Sequence, residues 1–133
     1  MVYYCYTLIY WRDFMNKQML KDYCLEKRGA IEDYPFGEDV LVMKVESKMF
    51  ALISEKENRI NISLKCDPVL AEQFRQQYTS IIPGYHLNKR NWNTVIMDRS
   101  VPEDDILWMI DHSYELVVKG LTKIQQKKLL SNE

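Results

Sequence analysis

Cysteine, histidine, glycine and proline are all scarce in this chain: three, two, four and four among 133 residues. Cys5, Cys24 and Cys66 are odd in number and no two are spaced as C-x-x-C. That argues against a disulfide framework and a zinc knuckle, and leaves buried thiols in a reducing cytoplasm as the expectation. An excess of charge of either sign is missing too. Eighteen Lys and Arg stand against nineteen Asp and Glu, a net charge of −1. A dedicated nucleic-acid binder shows a basic excess, so any basic footprint here has to be local. No Pro/Gly/Ser-rich stretch and no internal repeat offers a domain boundary, and a 47% hydrophobic content supplies one core. Long apolar runs are absent as well. The apolar start "MVYYCYTLIYW" is shorter than the ~20 residues that span a bilayer. It lacks the basic flank of a signal peptide and runs directly into Arg12 and Asp13. No membrane contact is expected. Met15 opens a more ordinary beginning, so residues 1–15 read as an N-terminal extension.

What is present is alternation and periodicity. A first helix is expected over 16–27, capped by Asn16 and stopped by Gly29. "EDYPFG" (32–37) reads as a loop. Strands are expected at 39–46, 48–55 and 59–66. The last, "RINISLKC", is the cleanest, with Ile60, Ile62, Leu64 and Cys66 on one face and Asn61, Ser63 and Lys65 on the other. The turn at Glu46-Ser47 lacks Asn-Gly chemistry, which suggests a loop slightly longer than two residues. Asp67-Pro68 opens a helix over 67–78, Pro83-Gly84 marks a turn, and 92–98 is a further strand. A long helix from about 102 to 119 carries Ile106, Ile110, Tyr114, Val117 and Val118 as its apolar stripe. The domain therefore covers 16–121, and the tail 122–133 is a short helix or frays. Strands joined by short loops pair antiparallel, and a sheet with one polar face needs helices on the other side only. The fold class is α+β, a two-layer sandwich of an antiparallel sheet with helices on one face.

Catalytic patterns are missing: there is no GxGxxG, P-loop, GxSxG or HExxH. A Cys66–His86 nucleophile and base can be drawn, but Cys66 lies on the inward face of its strand, where thiols are inert. Glu103, Asp104 and Asp105 read as helix-start electrostatics rather than a cation site. Asp111 and His112 are adjacent and do not share a helix face. No metal, no cofactor and no enzymatic activity is expected. The stretch "GYHLNKRNWNTV" (84–95) differs in kind. His86, Asn88, Lys89, Arg90, Asn91, Trp92 and Asn93 follow a turn and lead into a strand. Such cations and amides suit phosphates and base edges, and Trp92 suits stacking. The same residue types also pin a loop to its own backbone, with Trp92 as a core anchor.

"EDYPFG", "KMFALI", "LKCDP", "GYHLNKRNWNTV" and "IDHSYELVV" occur in that order, and together they resemble the MmcQ/YjbR family across residues 16–121. The resemblance implies a CyaY-like (frataxin-like) fold and a DNA-binding role, described as a double-wing arrangement. The family pattern often has His where this chain has Asn91, which removes one candidate for a metal or pH-dependent role. The first helix, "NKQMLKDYCLEKR", is mixed in charge, which argues against frataxin-like iron handling. The resulting expectation is a non-enzymatic cytoplasmic binding protein, monomeric, that contacts DNA. Lys89 and Arg90 would meet phosphates, Asn88, Asn91 and Asn93 would orient the loop or touch bases, and Lys65 on the polar sheet face would extend the surface. The alternative is a small-molecule or protein-binding module that uses the same loop and sheet face without nucleic acid.

Overall fold

A computed structural model describes residues 15–84 and 87–131. Helix α1 (Lys17–Leu25) starts where the Asn16 side chain accepts a 2.8 Å hydrogen bond from the Met19 amide. A meander of four strands follows: β1 (Ala30–Asp33), β2 (Val40–Val45), β3 (Lys48–Lys56) and β4 (Arg59–Lys65). Helix α2 (Pro68–Gln77) begins at Asp67, whose carboxylate accepts from the Val69 and Leu70 amides. Strands β5 (Ile81–Pro83) and β6 (Trp92–Ile96) come next, then helices α3 (Glu103–Lys119) and α4 (Lys123–Ser131). The six strands form one wholly antiparallel sheet in the order β1-β2-β3-β4-β6-β5.

The α+β expectation holds, and so does antiparallel pairing of residues 39–66 with 92–98. Two strands went unpredicted. Ala30–Asp33 and Ile81–Pro83 are short edge strands, where residues 32–33 were assigned to a loop and Pro83 to a turn. Pro83 is tolerated there because an edge strand leaves one row of backbone donors unpaired.

One face of the sheet carries the core. Leu41, Met43 and Val45 of β2, Ile53 of β3, Ile62 and Leu64 of β4 and Val95 of β6 are all at most 2% exposed. Leu20 and Cys24 of α1 and Ile106, Ile110 and Val117 of α3 close over them. Removing that apolar area from water supplies the dominant stabilisation of the fold. The register between β2 and β3 shifts after Met43. Met43 faces Ala51 and Lys44 faces Met49, so Phe50 is the extra residue of a β-bulge. The bulge turns both Phe50 and Ala51 into the core.

Both hairpin turns of the meander have two residues. Val45 pairs with Lys48 and Lys56 with Arg59. Glu46 and Ser47 take φ of 48° and 68°, and Glu57 and Asn58 take 55° and 64°. These are type I′ turns. The longer loop expected at Glu46-Ser47 is therefore corrected: the twist of the flanking strands selects the primed turn even without Asn-Gly. Ser47 sits in the left-handed region, which costs an L-residue roughly 1–2 kcal/mol. Ser47→Gly is accordingly expected to raise stability by about 0.5–1 kcal/mol after the extra entropy of glycine is subtracted. A urea melt of the variant checks this, and an unchanged midpoint would count against the turn assignment.

Candidate ligand site on the open sheet face

Residues that alternate with the core positions point away from the helices. Register places them in two rows. Val40, Ser54 and Asn61 align across β2, β3 and β4. Val42, Leu52, Ser63 and Thr94 align across β2, β3, β4 and β6. Lys65 and Trp92 pair further along.

Two segments flank this face at opposite ends. Residues 34–39 join β1 to β2 and enter the sheet at Val40, and residues 87–91 lead into β6 at Trp92. Phe36 of the first and Leu87 of the second overhang a cavity of about 460 Å³. Its floor is Val40, Leu52, Ser54, Asn61, Ser63 and Thr94. That volume lies within the range of small-molecule sites. The Ser63 and Thr94 hydroxyls are 2.8 Å apart and hydrogen-bond one another. Thr94 is 4% exposed, so its hydroxyl lies at the base of the cavity, while Phe36 is 62% exposed at the rim. The described lining residues include no carboxylate, ammonium, thiol or imidazole. Such a surface can bind an apolar body and satisfy a few polar atoms.

Residues 89–93 are held from behind by Arg75 of α2. Its Nε donates to Asn93 Oδ1 at 2.6 Å, and its terminal nitrogen donates to the carbonyls of Lys89 and Trp92. Asn93 is 2% exposed, faces the helices and donates to the Ala71 carbonyl at 3.2 Å. Asn88 accepts from the Arg90 amide through its side chain. The Asn91 carbonyl accepts from the Cys66 amide at 2.7 Å. Of the two roles weighed for these asparagines, the structure displays loop-holding for Asn88 and Asn93. Trp92 is 8% exposed and lies on the open face beside Gly84 rather than in the helix-covered core expected of an anchor. A Cβ at Gly84 would meet that of Trp92 at 2.6 Å, so only glycine allows this approach. Lys89 and Arg90 are exposed, with no ion-pair partner among the described residues. Lys65 is half-buried. His86 lies outside the described residues, and so does the Cys66–His86 pairing.

The remaining singled-out residues serve packing. Asp111 receives the Tyr23 hydroxyl at 2.8 Å and the Lys27 ammonium, tying α1 to α3. His112 stacks on Trp108 at 4.9 Å, and its Nε2 accepts from the Asp67 amide at 3.2 Å. Sequence reading missed Phe36, Val40, Leu52, Ser54, Leu87 and Thr94 as lining residues. It placed Asn61 and Ser63 on the polar sheet face, which it offered as a binding surface in its alternative reading without singling out either residue.

An antiparallel sheet with helices on one side and an open cavity on the other makes a one-sided α+β sandwich. The chain belongs to the YjbR family, whose model matches residues 25–116. It is 40% identical over 116 residues to the uncharacterised protein YjbR of Escherichia coli K12, covering 87% of this chain and 98% of that protein. The uncharacterised protein YyaQ of Bacillus subtilis is 33% identical over 106 residues, covering 68% and 88%. A crystal structure of a Deinococcus radiodurans protein superposes with a TM-score of 0.79 at 40% identity, covering 84% of this chain and 86% of that one. A Pseudomonas syringae protein superposes with a TM-score of 0.67 at 28% identity, covering 77% and 98%.

Proposed function

We propose that this protein is a small-molecule-binding module whose ligand sits on the open sheet face, beneath Phe36 and Leu87. The observation that carries this reading is the cavity of about 460 Å³, floored by uncharged polar and apolar side chains and flanked by Phe36 and Leu87. The unpaired, buried Cys24 and Cys66 favour a reducing compartment, the cytoplasm, for this activity. Helices confined to one face also support the CyaY-like reading of the fold.

The DNA reading rests on fewer groups. Of the 86–93 stretch, Lys89 and Arg90 alone combine positive charge with exposure among the described residues, whereas Asn93 and Trp92 are buried. Two phosphate contacts give weak, salt-sensitive affinity without sequence readout.

The experiment is an amide NMR titration with a library of uncharged ring-bearing fragments, alongside a mixed-sequence DNA duplex at low salt. Fragments are expected to shift the Leu52, Asn61, Ser63 and Thr94 amides in the wild type. Leu52→Trp, which fills the cavity, is expected to abolish those shifts. Fragment shifts confined to other surfaces would overturn the proposal. A duplex that binds with a salt slope reduced by about one unit or slightly less per lost contact in a Lys89→Ala/Arg90→Ala variant would restore the DNA reading.

A further inference from the structure

We infer that this chain pairs with a second copy of itself along the outer edge of β1, in place of the monomer expected from its sequence. The surface is the four-residue strand Ala30–Asp33. The partner is the same strand of another copy, antiparallel to it across a two-fold axis.

The two ends of the sheet differ. At one end β5 closes with Pro83, which has no backbone N–H to give a further strand. At the other end β1 contains no proline, and its outer row of backbone groups has no strand beside it among the described residues. Such a row is a template for another chain. Ile31 is 56% exposed and pairs with Lys44, so it stands on the open sheet face. Behind the same edge Lys21 of α1 reaches Glu32 at 3.0 Å. Leu25, one turn further along that side of α1, is 36% exposed.

Charge does not defend this edge. Edge strands are commonly blunted by charged side chains. Here both carboxylates of β1 are neutralised within their own chain, Glu32 by Lys21 at 3.0 Å and Asp33 by Lys44 at 2.8 Å. Lys27 and Arg28 precede the strand, and Glu32 and Asp33 end it. Antiparallel copies therefore set the acidic end of each beside the basic start of the other, whereas parallel copies would set like charges together.

Sidedness and charge also fix the register. Residues directly opposite one another in an antiparallel pair face the same side of the sheet. An axis through Ile31 sets Ile31 against its own copy and Glu32 against Ala30 of the partner subunit. An axis through Glu32 would set two carboxylates face to face, which is unfavourable. The first arrangement is self-complementary, as a two-fold contact requires. It makes a twelve-stranded sheet with the helices of both copies on one side. No residue of β1 lines the cavity, so the pairing stands or falls apart from the small-molecule reading.

Sedimentation equilibrium of the full chain tests the pairing. A four-residue edge is a small contact, so dimers are expected between micromolar and millimolar chain. Ile31→Glu is expected to raise the dissociation constant at least about ten-fold, because the two glutamates meet across the axis. Position 31 is exposed and lies opposite Lys44, so the fold is expected to survive, with an unchanged thermal midpoint in dilute solution. Disulfide trapping then reads the register. In a Cys5→Ser background the remaining thiols, Cys24 and Cys66, are buried. Ile31→Cys is expected to cross-link two chains, since directly opposed Cα atoms lie about 4.5–5.5 Å apart. Glu32→Cys is expected not to, because its copy is displaced by two positions, beyond the roughly 7 Å that a disulfide can bridge. A chain that stays monomeric at millimolar concentration would overturn the proposal. So would a dimer that Ile31→Glu leaves equally tight, since its contact would lie elsewhere. Cross-linking through Glu32→Cys in place of Ile31→Cys would overturn the axis through Ile31.

Discussion

Ser113→Ala is expected to lower the unfolding free energy by about 2–4 kcal/mol, a large effect for the loss of one oxygen atom. Ser113 is fully buried on α3. Its hydroxyl donates to the Phe50 carbonyl at 2.6 Å and accepts from the Lys65 amide at 2.9 Å. Both partners lie where the sheet ladder fails. Phe50 is the bulge residue with no opposite number on β2, and Lys65 is the last residue of β4. Alanine would strand a carbonyl and an amide away from water, at roughly 1–3 kcal/mol each. Urea unfolding at constant slope measures the loss, and amide exchange at Lys65 reports whether the damage is local. A loss under about 0.5 kcal/mol would show that a water molecule replaces the hydroxyl. The bulge and the serine are thus one device: the bulge lets Phe50 and Ala51 both enter the core, and α3 completes the hydrogen bonding it interrupts.

Alkaline pH is expected to erode stability through Cys24. Burial pushes its thiol up from 9.0 to about 12. Burial likewise raises Cys66 to about 11 and Tyr23 to about 12, the latter aided by its hydrogen bond to Asp111. A raised folded-state pKa means the native chain holds protons that the unfolded chain releases. The stabilisation is therefore complete below pH 9 and is lost as pH rises toward 12. For Cys24 the slope approaches about 1.4 kcal/mol per pH unit, and up to about 4 kcal/mol across the window. Urea melts between pH 8 and 10.5 test it. Cys24→Ala is expected to start less stable because of the space it leaves, and to show a shallower pH slope. Wild type and variant with parallel pH profiles would refute the assignment.

The sequence made β4, α2 and α3 legible because each has a local cause: strict alternation in "RINISLK", Asp67-Pro68 at a helix start, and a long apolar stripe over 106–118. β1 and β5 were not legible. "AIED" and "IIP" are too short for a period to develop, and they are strands because β2 and β6 offer them a free edge. The site was half legible. The cations and amides of 84–95 drew attention by composition, yet Asn93 looks inward and Asn88 binds its own loop. A quieter signal stood in the strands. A solvated sheet face usually carries Lys and Glu, whereas Ser54, Asn61, Ser63 and Thr94 are polar without charge, which suits a covered surface. Arg75 had no comparable signal, because two of its partners are main-chain carbonyls set by loop geometry.

Strand alternation also has a consequence for how such a protein diversifies. Ile53, Ile62 and Val95 belong to the core, and their immediate neighbours Ser54, Ser63 and Thr94 belong to the cavity. Successive side chains on a strand face opposite ways, so the two sets never compete for the same space. A point mutation in one set leaves the other's packing intact. The lining of the cavity is then free to change from one lineage to the next while the fold is inherited unaltered.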